Sequence, residues 1–374
     1  VFFSATYICP VRGLAEHKAP DPERLYQSAR VAKGLGIERL LLPVLEESLL
    51  GTGREMVTFL DEIITSLDKI NDAGVAALFV APAQRILGLD WVPPYLVRGS
   101  QDPKADPVFV DGRLRNLRPF GWWKDLSIIQ KRLRVFRELV VATIGHPAIT
   151  GWLIMDRALS WSRPDKKVAE LILKSYLAEI RERDENIEVT LSFEWPEFLQ
   201  PDMAKVLAVQ VNGVRMGGLD IRPVELEGSA GPSGKLLAAS YLGALGQWLF
   251  DKPVIVETRL DIMDKTQAPE EIAAGFKRMA LQGLAGINWT TLVDPAPHIY
   301  DQPPWSLQQD LKHAGMLDQR LKPKRGMEFW VNEMRSTKVK DGSYAFVDIS
   351  QTQYMKSPDT HFHRLWEHFR ESAT

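Results

Sequence analysis

A single cysteine, Cys9, stands in 374 residues, which excludes an internal disulfide and any C-x-x-C redox or zinc motif. Charge of one sign is lacking too. The chain has 46 Lys+Arg against 48 Asp+Glu and a formal net charge of -2, so it offers no basic field for nucleic acid. No run reaches the roughly 18 apolar residues of a membrane helix. A Gly-rich phosphate loop, His-Glu-x-x-His and Gly-x-Ser-x-Gly are all absent from the sequence, so no cofactor and no metal site is expected. His361, His363 and His368 lie near one another but lack a carboxylate or cysteine in pattern, and read as a solvated helix face. With 45% hydrophobic and 25% charged residues, the chain has the composition of a globular protein. It opens on Val1-Phe2-Phe3, already strand-like. The expectation is a removed signal peptide or anchor upstream, and with it an extracytoplasmic location, secreted or periplasmic.

What is present is an alternation of short apolar runs and amphipathic segments. Strands are predicted over 2–8, 39–45, 75–81, 150–155, 188–193, 209–216, 253–257 and 285–289. Helices are predicted between them over 22–34, 54–71, 126–144, 167–183, 201–208, 234–250 and 269–282, with a last one over 305–316. Eight strand–helix pairs are the count of an α/β (β/α)₈ TIM barrel. Continuous β-branched runs such as Val254-Ile255-Val256 suit parallel strands covered on both faces. Asp21-Pro22-Glu23 reads as a helix entry, and Gly34 and Gly36 suit an exit. The stretch 84–124 is long for a βα loop and rich in proline and tryptophan, so it is expected to form a lid over the C-terminal mouth. The barrel is assigned to 1–321. Residues 322–374 form a short C-terminal extension packed on it, with a helix over 327–335, a strand over 344–349 and a helix over 359–370.

Functional residues of such a barrel sit at the C-terminal ends of its strands. Those ends carry Glu46-Glu47, Gln84-Arg85, Asp156-Arg157, Glu194-Trp195, Arg215, Glu257-Thr258-Arg259 and Asn288-Trp289. Carboxylates, arginines and tryptophans converging on one mouth fit a carbohydrate ligand, since aromatic faces stack on sugar rings and charged groups fix hydroxyls.

The run from Gly145 to Arg157, Gly-His-Pro-Ala-Ile-Thr-Gly-Trp-Leu-Ile-Met-Asp-Arg, resembles the fourth-strand signature of the cellulase-like clan of retaining glycoside hydrolases. The run from Lys252 to Arg259 is similar to the clan's seventh-strand motif, and Gly286-Ile287-Asn288-Trp289 to its eighth-strand segment. The resemblance covers roughly residues 1–316 and implies a (β/α)₈ barrel with Trp289 under the sugar, while the strand ends themselves offer Trp152, Arg157, Trp195, Arg215, Arg259 and Trp289 as ligand-binding candidates. It also implies two catalytic glutamates, and here the sequence departs from the clan. The acid/base position falls on Arg157, which cannot cycle a proton at neutral pH. The nucleophile register falls on Thr258, with Glu257 one residue early and, by strand alternation, on the other face. Asp156 lies in the opposite pleat phase to position 157. Retaining hydrolysis needs two carboxyl groups about 5–5.5 Å apart. The reading is therefore a barrel that has lost hydrolysis and serves as a glycan-binding or structural subunit, with a carbohydrate or a protein assembly as partner. The alternative is an active retaining glycosidase with Glu257 as nucleophile and Asp156 or Glu194 as acid.

Overall fold

In a computed structural model, the described residues are 2–16, 18–50, 53–97, 102–105, 107–117, 121–156, 164–217, 226, 229, 231–258, 269–337 and 344–373. Eight strands close a parallel barrel: β1 (Phe2–Thr6), β2 (Arg39–Leu45), β3 (Ala76–Ala83), β8 (Ile149–Ile154), β9 (Glu188–Glu194), β10 (Gly213–Gly217), β11 (Val254–Thr258) and β12 (Gly286–Trp289). β12 closes on β1 with Ser4 opposite Asn288. The chain is thus an α/β (β/α)₈ barrel. Its outer layer includes α1 (Pro22–Leu35), α2 (Gly53–Ala73), α3 (Leu126–Thr143), α4 (Lys166–Arg181), α5 (Pro201–Ala208), α6 (Gly231–Phe250) and α7 (Pro269–Leu281). No described helix is long and apolar enough to cross a membrane.

Local chemistry sets the helix ends. Asp21 accepts the Arg24 amide at 2.7 Å, Pro22 opens α1, and Gly36 closes it at φ 90, a left-handed conformation that glycine adopts without strain. Asp125 and Asp165 cap α3 and α4 in the same way.

Alternation along the strands sorts the core into two layers. Leu40, Leu42, Ala77, Phe79, Trp152 and Ile154 join the helices in the outer core. Leu41, Leu78, Val80 and Leu153 point inward, where they form a second apolar cluster. That inner cluster fills only the β2, β3 and β8 side of the barrel. On the remaining strands the inward positions are mostly polar: Ser4, Thr6, Thr190, Ser192, Glu194, Arg215, Glu257 and Asn288 are all buried, with Ile255 an apolar exception on β11.

Of the long stretch after β3, the described residues include a sheet of four short strands: β4 (Arg85–Ile86), β5 (Leu89–Trp91), β6 (Pro107–Val110) and β7 (Arg113–Asn116). Ile86, Leu89, Trp91 and Phe109 pack on the inner apolar cluster, so the sheet roofs the apolar half of the mouth.

Two expected elements take other forms. Residues 305–316 hold only a short 3₁₀ turn, Gln309–His313, in place of the expected helix. Residues 344–349 are turns, with an exposed Asp348–Arg364 ion pair at 2.7 Å, and lead to Ser350, the capping-box residue of a helix that periodicity did not reveal, α9 (Gln351–Lys356). α8 (Met327–Ser336) and α10 (Pro358–Ala373) fall where the sequence put them. Phe362, Trp366 and Phe369 of α10 surround the Tyr241 ring of α6, and Tyr241 donates to the Phe362 carbonyl at 2.5 Å.

Candidate functional site

The polar half of the barrel carries a connected set of charges at its C-terminal end. On β10, Val214 and Met216 belong to the outer core, so Arg215 between them points inward. On β11 the same alternation, with Val254 and Val256 outward, brings Glu257 inward. The two meet at 2.7 Å, Arg215 Nη2 to Glu257 Oε1. The expectation that Glu257 faces away from the barrel is therefore corrected. Counting from Pro253 fixes a sequence register, but the hydrophobic outer face of β11 fixes which way each side chain turns.

Asp156 also reaches this guanidinium, with Oδ1 3.4 Å from Arg215 Nη1. Inward Leu153 would by alternation place Met155 inward and Asp156 outward. Met155 instead adopts φ 51 and joins the outer core, which breaks the alternation and turns Asp156 into the barrel. Ser192 Oγ accepts from Arg215 Nη1 at 3.5 Å.

A second arginine holds the next carboxylate. Arg85, the first lid residue, grips Asp90 bidentately at 2.6 and 2.7 Å and donates to Glu194 Oε1 at 2.9 Å. Its backbone amide lies 3.5 Å from Asp156 Oδ2, so the two clusters join. Burial opposes its charge, but Asp90 and Glu194 outweigh that and keep the guanidinium firmly protonated. On the far side of the β1–β12 closure, Asn288 donates to Thr6 Oγ1 at 3.0 Å and accepts from Ser4 Oγ at 3.1 Å.

The third cluster is only partly legible in the sequence. Glu46, just past β2, accepts from Arg132 of α3 at 2.8 Å and from the Tyr95 hydroxyl of the lid. Gln84, with its amide oxygen turned toward Arg132, accepts at 2.9 Å from Nη2. Arg132 lies 4.2 Å from the centroid of the Trp122 ring and is 3% exposed. The sequence did carry a signal for it: Arg132 interrupts the apolar stripe Ile128, Val135, Phe136, Leu139 of α3. Beside Glu46, Glu47 has its carboxyl raised to about 7, first by burial, then by the charges of Glu46 and of Asp111 on the lid.

The structure does not bring the expected aromatic platform to the mouth. Trp152 is fully buried on the outer face of β8, its ring 5.2 Å from Phe79 and 5.7 Å from Phe136. Trp289 also faces outward, packs on Phe276 at 6.1 Å and donates Nε1 to the Ala314 carbonyl at 2.8 Å. Trp195 is half-buried against Phe362 of α10 at 6.2 Å. Their one-residue offset from inward Leu153 and Asn288 decides this for the two strand tryptophans. Arg157 and Arg259 lie outside the described residues. Among the described residues no cluster of His, Cys, Asp and Glu could hold a metal ion.

No protein-family model matches the sequence. No curated protein matches it either. Solved structures do. GH5_18 from Streptomyces cattleya, solved with GlcNAc, aligns with a TM-score of 0.75 at 13% identity, covering 100% of this chain and 91% of that one. An exo-beta-1,4-mannosidase from Opitutaceae bacterium strain TAV5 aligns with a TM-score of 0.68 at 14% identity, covering 90% of this chain and 59% of that one. A beta-galactosidase from Marinomonas ef1 gives 0.62 at 12% identity over 90% of this chain and 59% of that one. The likeness is one of fold: this is a (β/α)₈ barrel similar to GH5 glycoside hydrolases along its whole length.

Proposed function

We propose that this chain is a glycoside-hydrolase-like barrel that binds carbohydrate at its mouth and has lost hydrolysis. The observation that carries the reading is the pairing of its mouth carboxylates with buried guanidinium groups. Glu257 and Asp156 share Arg215, Glu194 is bound to Arg85, and Glu46 to Arg132. Retaining hydrolysis asks one carboxylate to attack the anomeric carbon and a second carboxyl to donate a proton to the leaving oxygen. Arg215 bonds one oxygen of Glu257, which draws charge from that carboxylate and weakens it as a nucleophile, and the guanidinium beside it cannot supply the missing proton. The fourth-strand position that the clan reserves for its acid is Arg157 in this sequence. Sugar hydroxyls still find donors and acceptors of both kinds in such a mouth, which supports binding. The likeness in fold to proteins solved with sugars, such as the GlcNAc complex, supports a carbohydrate ligand.

The test is a titration of β-linked manno- and gluco-oligosaccharides followed by calorimetry, with reducing ends assayed in the same samples. Saturable heat with no new reducing ends is the expected result; new reducing ends would refute the proposal, and absence of any heat would remove the ligand class.

One observation favours an active retaining glycosidase. Glu257 does face the barrel interior from the seventh barrel strand, where a nucleophile would stand, with Asp156 and Glu194 as the carboxyls near it. A turnover that disappears in Glu257→Ala would establish that reading instead.

A further inference from the structure

The helical layer holds a hollow that shares no lining residue with the charged clusters of the mouth. α2 packs closely on α1 but only loosely on α3. Between α3, the turn after β2 and the first turn of α2 lies a cavity of about 400 Å³, within the size range of small-molecule sites. Its floor is apolar: Leu49 and Val135 are buried, Leu50 and Met56 half-buried. Its rim is charged. Lys131, Arg134 and Glu138 share one face of α3 with Val135, at the three- and four-residue spacing that aligns side chains on a helix.

The three arginines of α3 differ in what they meet. Arg132 is bound to Glu46, and Arg137 donates to Glu179 at 2.8 Å. Arg134 is exposed, and among the described residues its guanidinium has no ion pair and no hydrogen-bond partner. Lys131 lies 4.1 Å from the centroid of the Tyr95 ring, a contact that uses one side of an ammonium with three donors.

We propose that this hollow binds an organic monoanion with an apolar body, by chemical class a medium-chain carboxylate, its chain on the floor and its carboxylate against Arg134 and Lys131. A guanidinium presents a planar fork that a carboxylate matches with two parallel bonds. Two cations and one carboxylate on the rim leave one positive charge in excess, which suits a single negative charge; a phosphate monoester would bring a second one against Glu138. An apolar chain takes the hydrocarbon floor out of water, whereas a sugar would have to bury hydroxyls there without partners. The site is independent of what the mouth binds or hydrolyses.

NMR of the full chain labelled at its methionine methyl groups tests it, because Met56 lies in the floor and Met56→Leu identifies its resonance. With octanoate at millimolar concentrations the Met56 signal should move saturably. Octanamide, of the same shape and without charge, should bind about three-fold more weakly or worse. Arg134→Gln should weaken octanoate by about that factor and leave octanamide unchanged. Gly53 lines the hollow, and a Cβ added there meets nothing within 4 Å, so Gly53→Leu should fill the space and abolish the shift while keeping α2. A Met56 signal that does not saturate, octanamide binding as tightly as octanoate, or an octanoate affinity unchanged in Arg134→Gln or in Gly53→Leu would each overturn the proposal. Arg134→Gln alters an exposed side chain, so the test does not depend on a variant that fails to fold.

Discussion

A guanidinium inside a barrel survives because anions and a hydroxyl surround it. Arg215 is 5% exposed and touches Glu257, Asp156 and Ser192. Breaking a buried pair by removing one partner leaves a charge without its counter-ion and costs about 3–5 kcal/mol. Arg215→Met should therefore lower stability by that order in urea denaturation. Adding Glu257→Gln should recover part of the loss, because the residual buried charge is smaller. Additive losses in the double variant would show that the two side chains are not coupled. At this scale the sequence was legible wherever a side chain sits between two hydrophobic residues of one strand: Val214 and Met216 disclose Arg215. It was not legible at Asp156, whose direction depends on the positive φ of Met155, nor at Trp152 and Trp289, whose family resemblance suggested a sugar platform while their pleat phase put them outside.

Among the elements, long helices and buried strands were read within a few residues, because each carries several periods of its pattern. The lid sheet was not. Its strands span two to four residues, too short for periodicity, and only the Leu87-Gly88 and Asp111-Gly112 dipeptides at positive φ mark its hairpins. Gly112 takes φ 69, so Gly112→Val should strain the tip and raise proteolytic nicking near it by several-fold without unfolding the barrel. Global unfolding at the wild-type denaturant midpoint checks the second half of that statement. The last helix behaves as part of the barrel's outer core. Trp366 is 1% exposed and packs on Tyr241, so Trp366→Ala should cost about 3–5 kcal/mol in a single cooperative transition. A separate early transition confined to the last 50 or so residues would instead mark the extension as an independent unit.

For the molecule as a whole, the eightfold alternation made the barrel readable from the chain alone, since each β-branched run and amphipathic helix repeats the same unit. What alternation does not convey is the division of the interior into an apolar half under the lid and a polar half strung with Ser4, Asn288, Glu257, Arg215 and Glu194. That division sets the buried arginines Arg215 and Arg85 among the carboxylates Glu257, Asp156 and Glu194, around which the carbohydrate site is proposed. The most direct test of lost hydrolysis uses aryl β-glycosides with good leaving groups, which need little acid assistance and so reveal an intact nucleophile on its own. Stopped-flow measurement on the purified protein should show neither steady turnover nor a burst of the released aryl alcohol. A burst stoichiometric with protein that vanishes in Glu257→Ala would contradict the non-hydrolytic reading and make Glu257 a working nucleophile.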